Sequence, residues 1–121
     1  MREKRVRAYR SGIFAETLAA LVMRLKGHRI VARRYRTPVG EIDLVALKGR
    51  RLAFVEVKRR KTTDDAAWTL PAKQRRRILR AAQYWLAGHP EFSGHELAFD
   101  VVLAAPWAWP RYRYIANAFP V

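Results

Sequence analysis

Apolar residues recur at helical spacing in two segments of the chain and at strand spacing in five others. The first helical segment covers residues 12–26. The second covers residues 72–87, begins after Pro71 and ends at Gly88. Stretches rich in β-branched and apolar residues predict strands, at residues 28–36, 41–47, 51–58, 97–103 and 111–115.

The first helix has apolar or small residues on most of its sides. One stripe follows helical spacing and consists of Phe14, Leu18, Leu21, Val22 and Leu25. The opposite side holds Ala19, Ala20 and Met23, with Glu16 as its one charge. Such a helix is expected to be covered on more than one face.

The predicted order is αβββαβ followed by a last short strand. Short loops join the middle strands, which favours antiparallel pairing, whereas the crossover of about 30 residues returns the fourth strand parallel to the third. We therefore expect an α/β fold with a mixed central sheet flanked by helices. The 121 residues suit a single domain, here residues 11–121. Residues 1–10 are expected to form a mobile basic arm, either frayed or contacting phosphates.

The charge balance predicts a polyanionic partner. Lysine and arginine total 25 against 10 acids, a net charge of +15, which favours nucleic acid or an anionic membrane surface. The absence of cysteine excludes disulfide scaffolds, thiol catalysis and iron–sulfur clusters. No stretch approaches the roughly 18 apolar residues of a membrane span. We expect a soluble cytoplasmic protein.

Three of the acids lie inside predicted strands that otherwise read as buried, namely Asp43, Glu56 and Asp100. A buried carboxylate costs several kcal/mol unless it is paired or bound to a metal. For Asp100 we favour a structural pair with an arginine. The other two acids lie on the two strands of one predicted hairpin.

Closing this hairpin brings two carboxylates together. If residues 49–50 form a two-residue loop, glycine stands where a type II′ turn requires it. Asp43 then lies opposite Glu56, and Glu41 lies opposite Lys58. Paired Cβ atoms would be about 5 Å apart, so the two acids would repel each other in the absence of a cation.

This arrangement predicts an all-oxygen metal site, which suits Mg²⁺ or Mn²⁺. Lys58 beside it would orient the attacking water or stabilise charge on a phosphate. The sequence also allows two alternatives. A loop at residues 48–49 would place Glu41 opposite Glu56, and the charges would otherwise form a structural ladder with a Glu41–Lys58 ion pair.

Several short motifs resemble the YraN-like family of small proteins. They are GEIDL at residues 40–44, FVEVK at residues 54–58 followed by Arg60, FDVV at residues 99–102, and IANAF at residues 115–119. The resemblance covers residues 11–119, and the two strands that carry the acids are its most specific part.

The resemblance implies a fold and an activity. The YraN-like family is assigned to the PD-(D/E)XK nuclease superfamily and is similar to Holliday-junction resolvases, which implies a restriction-endonuclease-like core and a Mg²⁺-dependent nuclease site. Asp43 matches the first metal-binding acid, Glu56 and Lys58 match the E-x-K pair, and Glu16 matches the first-helix glutamate. Where the family usually has asparagine, this chain has Arg34.

Basic residues cluster near the predicted site. Four of them form a ridge along the second helix, and three follow Lys58 directly. Such runs are often solvated faces, but beside a metal motif they predict salt-dependent contact with backbone phosphates. The predicted contacts are Arg59, Arg60, Lys61, Lys73, Arg76, Arg77 and Arg80.

Aromatic residues alternate with arginines near the C-terminus, at Trp107, Trp109, Tyr112 and Tyr114. We favour packing of the last strand or a dimer contact for them, with base stacking as the alternative. Because related resolvases act as dimers, a homodimer is a further expectation.

The sequence thus predicts a Mg²⁺- or Mn²⁺-dependent endonuclease that acts on branched or otherwise non-duplex DNA. The alternative is a non-catalytic nucleic-acid-binding module of the same fold within a DNA-processing complex. A basic protein of membrane surfaces or RNA would explain the charge but not the acids within the strands.

Overall fold

The structure is a computed structural model that describes residues 2–64 and 68–120, with side chains from Gly12 onward. Its elements confirm the predicted αβββαβ order with a fifth strand. They are α1 (Arg2–Leu25), β1 (Arg29–Thr37), β2 (Gly40–Lys48), β3 (Arg51–Arg59), α2 (Ala72–Gly88), a 3₁₀ turn (Pro90–Phe92), β4 (Glu96–Ala104) and β5 (Tyr112–Ile115).

Helix α1 is longer than the sequence pattern predicted. It begins at Arg2 rather than at residue 12, so the backbone expected to form a mobile arm is helical. The phosphate contacts expected of that arm concern side chains outside the described part. No helix of the described residues is long and apolar enough to cross a membrane.

The five strands form one mixed sheet in the order β1-β2-β3-β4-β5. Strand β2 pairs antiparallel with β1 on one side and with β3 on the other. Strand β4 pairs parallel with β3 and antiparallel with β5. The parallel pairing follows from the crossover through α2 and runs from Arg51 beside Glu96 to Arg59 beside Ala104. The predicted mixed sheet is confirmed.

Each face of the sheet is covered by one helix. Ile78 and Trp85 of α2 pack over Phe54 and Phe99 on one face, where a cluster of large side chains forms the main core. On the other face, two alanines and a methionine of α1 lie against the sheet. These residues and their partners include Ala19, Ala20, Met23, Leu44, Val55 and Val102.

The apolar stripe predicted for α1 is only partly buried. Phe14, Leu21 and Leu25 are exposed, whereas Ala19 and Ala20 of the opposite side are fully buried. The small side chains let the helix backbone approach the sheet closely, so the alanine side forms the interface. Within the described residues, the sheet covers only one side of α1, so the expectation that this helix is covered on more than one face is wrong.

Helix α2 and strand β2 touch at Gly40. A Cβ atom built at this position would lie 2.4 Å from the carbonyl oxygen of Arg77. The backbone cannot yield there without moving α2, which carries one wall of the cleft described below. Only glycine allows this close approach.

We expect Gly40→Ala to lower the free energy of unfolding by about 1–3 kcal/mol, because the new methyl group forces the two elements apart. Gly12→Ala is the matched control, since its Cβ meets nothing within 4 Å inside a helix, and it should stabilise by roughly 0.5–1 kcal/mol. Urea titration followed by circular dichroism measures both. Equal stability of the Gly40→Ala variant and the wild type would contradict the close approach.

Candidate active site

The hairpin of β2 and β3 has the predicted register. Lys48 pairs with Arg51 and Leu44 with Val55, as a loop at residues 49–50 requires. Gly49 has a φ of 57°, the left-handed value that the first central position of a type II′ turn needs. The alternative loop at residues 48–49 is therefore wrong.

The two strands separate just where the acids begin. Pairing of β2 with β3 runs only to Leu44 and Val55, whereas β2 stays paired with β1 as far as Gly40. Beyond the fork, the side chain of Asp43 replaces the missing backbone partner, and its Oδ2 accepts a hydrogen bond from the Val57 amide at 2.7 Å. Asp43 thus lies between the diverging strands.

Glu56 is the buried acid next to Asp43. Its Oε1 lies 3.2 Å from the Lys58 Nζ and accepts a hydrogen bond of 3.2 Å from Nε2 of Gln74 on α2. The structure therefore brings together Asp43, Glu56 and Lys58, as the sequence predicted. Sequence reasoning missed Gln74, whose only signal is that it is the one uncharged polar residue in a basic helical turn.

The electrostatics of the pair favour a bound cation. Burial raises the pKa of Glu56 to about 7, and the charge and hydrogen bond of Asp43 act in the same direction, while Lys58 opposes them. Burial likewise raises the pKa of Asp43, against the Val57 amide and Lys58, which lower it. Two carboxylates that resist ionisation side by side are stabilised as anions by a divalent ion.

The donor set fits Mg²⁺ or Mn²⁺. Magnesium is commonly bound by one or two carboxylates, with water and substrate phosphate oxygens completing its octahedral shell. Within residues 2–64 and 68–120, no group of three or more acid or histidine side chains is arranged to hold a metal. Asp43 and Glu56 therefore would form the protein's share of such a site.

A cleft of about 510 Å³ opens over the pair. Strands β2 and β3 form its floor, and α2 forms one wall, to which Lys73 and Arg77 contribute. These two cations were predicted to contact phosphate. The other two residues of the predicted ridge, Arg76 and Arg80, are exposed but do not line this cleft. Arg76 lines a separate depression beside Phe119.

Glu16 lies on the other side of the fork. It is buried and lines a second cleft of about 310 Å³ together with Asp43 and Arg34. Its Oε1 accepts from the Nε of Arg33 at 3.0 Å, and its Oε2 accepts from the Nε of Arg34. The structure brings Glu16 near Asp43 but not into the cleft that holds Glu56.

Arg34 occupies a conformation that suits asparagine. Its φ is 50°, in the left-handed region where asparagine is several-fold enriched among non-glycine residues. The family resemblance places asparagine at this position. In this chain arginine adopts the left-handed conformation at this position and forms an ion pair with Glu16.

The structural charge ladder considered for these strands is not observed. Glu41 is exposed and lies 3.8 Å from the Nε of Arg36, whereas Lys58 pairs with Glu56. The alternative of a Glu41–Lys58 ion pair is therefore wrong. The separation of β2 from β3 explains it, because the strands no longer face each other at that position.

Asp100 lies apart from the cleft and is fully buried. Its two oxygens accept from both terminal nitrogens of Arg51 at 2.7 and 2.8 Å. The Tyr114 hydroxyl donates to it at 2.5 Å and the Asn117 amide at 2.9 Å. The predicted structural pair with an arginine is confirmed.

The raised pKa of Glu56 predicts a pH-dependent stability in metal-free protein. Between pH 4.5 and about 7 the unfolded chain releases this proton while the folded protein keeps it, so stability falls as the pH rises. The loss should be on the order of 2–3 kcal/mol at pH 8.

Glu56→Gln removes this loss, so in EDTA the variant should be more stable than the wild type at pH 8 and similar to it at pH 4. Mg²⁺ should stabilise the wild type at pH 8 and leave the variant unchanged. Urea unfolding at several pH values measures both effects. If the wild type gained stability relative to the variant between pH 4.5 and 7, the raised pKa of Glu56 would be contradicted.

Comparison with known proteins agrees with the sequence resemblance. The profile of the family described as "Uncharacterised protein family UPF0102" matches residues 15–104, and this is the YraN-like family. A "UPF0102 protein" of Rhodopseudomonas palustris (strain BisB18) is 56% identical over 109 residues, 90% of this chain and 81% of the relative. The "UPF0102 protein bll0669" of Bradyrhizobium diazoefficiens is 53% identical over 90% of this chain and 82% of the relative.

Proposed function

The chain belongs to the uncharacterised protein family UPF0102, and from the chemistry of its cleft we propose that it is a metal-dependent DNA endonuclease. One observation carries the proposal. Two carboxylates, the half-buried Asp43 and the buried Glu56, meet at a fork in the sheet, and the Lys58 ammonium lies 3.2 Å from Glu56. Burial and mutual repulsion raise the pKa of both carboxyl groups, and a divalent cation between them would relieve that repulsion.

Each residue has a role in phosphodiester hydrolysis. Asp43 and Glu56 would hold Mg²⁺ or Mn²⁺, which supplies charge stabilisation at the phosphate and lowers the pKa of a bound water. The Val57 amide fixes the carboxylate of Asp43. Gln74 fixes that of Glu56. Lys58 orients the attacking water or stabilises the charge that develops on the phosphate.

The surroundings of the cleft suit a polyanionic strand. Lys73 and Arg77 stand on its wall, and Arg34, Arg36 and Arg59 line the neighbouring cleft, which shares Asp43. Cations on both sides of the acids would hold backbone phosphates across the site. Contacts of this kind position a nucleic acid without reading its sequence, so binding should weaken steeply with salt.

We further propose that DNA structure rather than sequence directs cleavage. The cations that line the two clefts are suited to backbone phosphates rather than to base edges, and the family resemblance implies a likeness to Holliday-junction resolvases. Membership in the PD-(D/E)XK superfamily is part of this proposal and depends on the same three residues, Asp43, Glu56 and Lys58.

The test is a cleavage assay on a substrate panel. Purified protein is incubated with Mg²⁺ or Mn²⁺ and end-labelled duplex, single strand, flap, fork and four-way junction, with Glu56→Ala in parallel. We expect the wild type alone to cleave a branched substrate. Metal-independent binding without cleavage of any substrate would overturn the proposal and favour the non-catalytic binding module, with the acids as structural residues.

A further inference from the structure

Two tryptophans project into solvent between β4 and β5. Trp107 is 93% exposed and Trp109 is 88% exposed, so the expected packing of the last strand is wrong for both, whereas the dimer contact stays a prediction. The expected packing holds for Tyr114, which lies against the core cluster under α1. Two neighbouring indole rings expose a large apolar area to water, and exposed apolar patches are typical of binding surfaces.

The segment that carries the two tryptophans is conformationally restrained. We call residues 106–110 the tryptophan loop; proline stands at both of its ends, and proline restricts the backbone. The Ala105 amide donates to the Arg111 carbonyl at 2.8 Å and closes the base of the loop. The Thr63 hydroxyl donates to the Pro110 carbonyl at 3.2 Å and ties the loop to the segment after β3. A restrained loop loses little entropy when it binds.

The tryptophan loop lies at the same end of the sheet as the candidate active site. Arg59 directly follows Lys58 and pairs with Ala104, the last residue of β4. The Arg60 amide continues this pairing with a hydrogen bond of 2.9 Å to the Ala104 carbonyl. Because the strands are parallel, the chain leaving β4 enters the loop beside the cations that follow Lys58.

Trp107 shares a cleft of about 330 Å³ with three cations, Arg59, Arg60 and Lys61. An aromatic face beside a row of cations is the pattern by which proteins bind single-stranded nucleic acid, with bases stacked on the ring and phosphates on the cations. Bases in a duplex already stack on their neighbours and do not offer a free face. The arrangement therefore selects for unpaired bases.

We propose that the tryptophan loop stacks unpaired nucleobases of a single-stranded segment whose phosphates lie on Arg59, Arg60 and Lys61. Its part in substrate selection rests on the proposed endonuclease function, because the bound segment would lead from this loop toward Lys58. The preferred substrate is then a duplex with an adjoining unpaired strand, such as a fork or flap, rather than blunt duplex.

The test measures binding in EDTA, so it does not depend on cleavage. Three labelled probes share one duplex and differ in the tail, which is absent, a run of thymidines, or an abasic sugar-phosphate run of equal charge. We expect the thymidine tail to bind most tightly and to quench tryptophan fluorescence. The double variant Trp107→Ala/Trp109→Ala should lose roughly 10-fold or more of its affinity for that probe alone.

Two further variants make the result specific. Trp107→Phe/Trp109→Phe retains aromatic faces and should recover most of the lost affinity, and Trp107→Ala alone should show an intermediate loss. Circular dichroism should be unchanged, since both side chains are exposed.

Three outcomes would overturn the proposal. One is an equal loss of affinity for the abasic or blunt probes. The second is dissociation of a dimer by the double variant in sedimentation, which would assign the loop to self-association. The third is a double variant that still binds DNA as the wild type does but no longer binds anionic phospholipid vesicles, which would assign the loop to a membrane surface. Absence of cleavage would refute the endonuclease function while leaving the stacking result intact.

Discussion

Lys58→Met is expected to lower the single-turnover rate of DNA cleavage by roughly 10²–10⁴-fold at saturating DNA and metal. Methionine keeps the length and most of the apolar stem of lysine but removes the ammonium that lies 3.2 Å from Glu56. Because that ammonium competes with a divalent ion for the carboxylate, the metal concentration required for half-maximal rate should not increase. Quenched-flow cleavage of a labelled substrate measures the rate, and its metal dependence is read from the same assay.

Lys61→Met and Lys73→Met are the matched controls for this change. Both residues were predicted to contact phosphate, and neither pairs with the acids. Each should weaken DNA binding and reduce its salt dependence, with a saturated cleavage rate close to that of the wild type. If all three variants lost cleavage only in proportion to lost binding, Lys58 would be another phosphate contact and not part of the reacting group.

Asp100→Ala is expected to lower the free energy of unfolding by about 3–5 kcal/mol, because it leaves a partly buried arginine without its anion. Four hydrogen bonds converge on this carboxylate, from Arg51, Tyr114 and the Asn117 amide. They tie the start of β3 to the segment around β5. Thermal and urea unfolding followed by circular dichroism measure the loss.

Tyr114→Phe is the control for the Asp100 network, since it removes one donor and keeps the ring. It should cost about 1 kcal/mol. Glu56→Gln provides the contrast, because at pH 8 without metal it should raise stability. A small loss for Asp100→Ala, or a loss for Glu56→Gln of the same size, would contradict the division between a structural acid and an active-site acid.

The hairpin could be predicted from sequence because local rules determine it. Gly49 marks the turn and the turn sets the register, which the structure follows as far as Leu44 and Val55, so Asp43 and Glu56 are the next residues along the two strands. The parallel return of β4 likewise follows from the length of the crossover. These inferences need no knowledge of distant contacts.

Other features depend on tertiary packing and were missed. The fork at Asp43 arises because β2 follows β1 while β3 follows β4, and no local pattern encodes that divergence. Gln74 reaches Glu56 only because the approach of α2 at Gly40 brings the helix close to the sheet. The alanine side of α1 is buried in place of its larger apolar stripe because close backbone approach outweighs side-chain size there.

The most direct test of the metal-dependent site is the cleavage rate of wild type and Glu56→Gln, purified identically, as a function of Mg²⁺ concentration. The substrate is the branched DNA that the wild type cleaves best in the panel. We predict a rate that rises with Mg²⁺, is abolished by EDTA, and is at least about 10³-fold lower in the variant at equal DNA occupancy. Cleavage that survives EDTA, or that is equal in the two proteins, would contradict the assignment of Asp43 and Glu56 as the metal-binding pair of a nuclease.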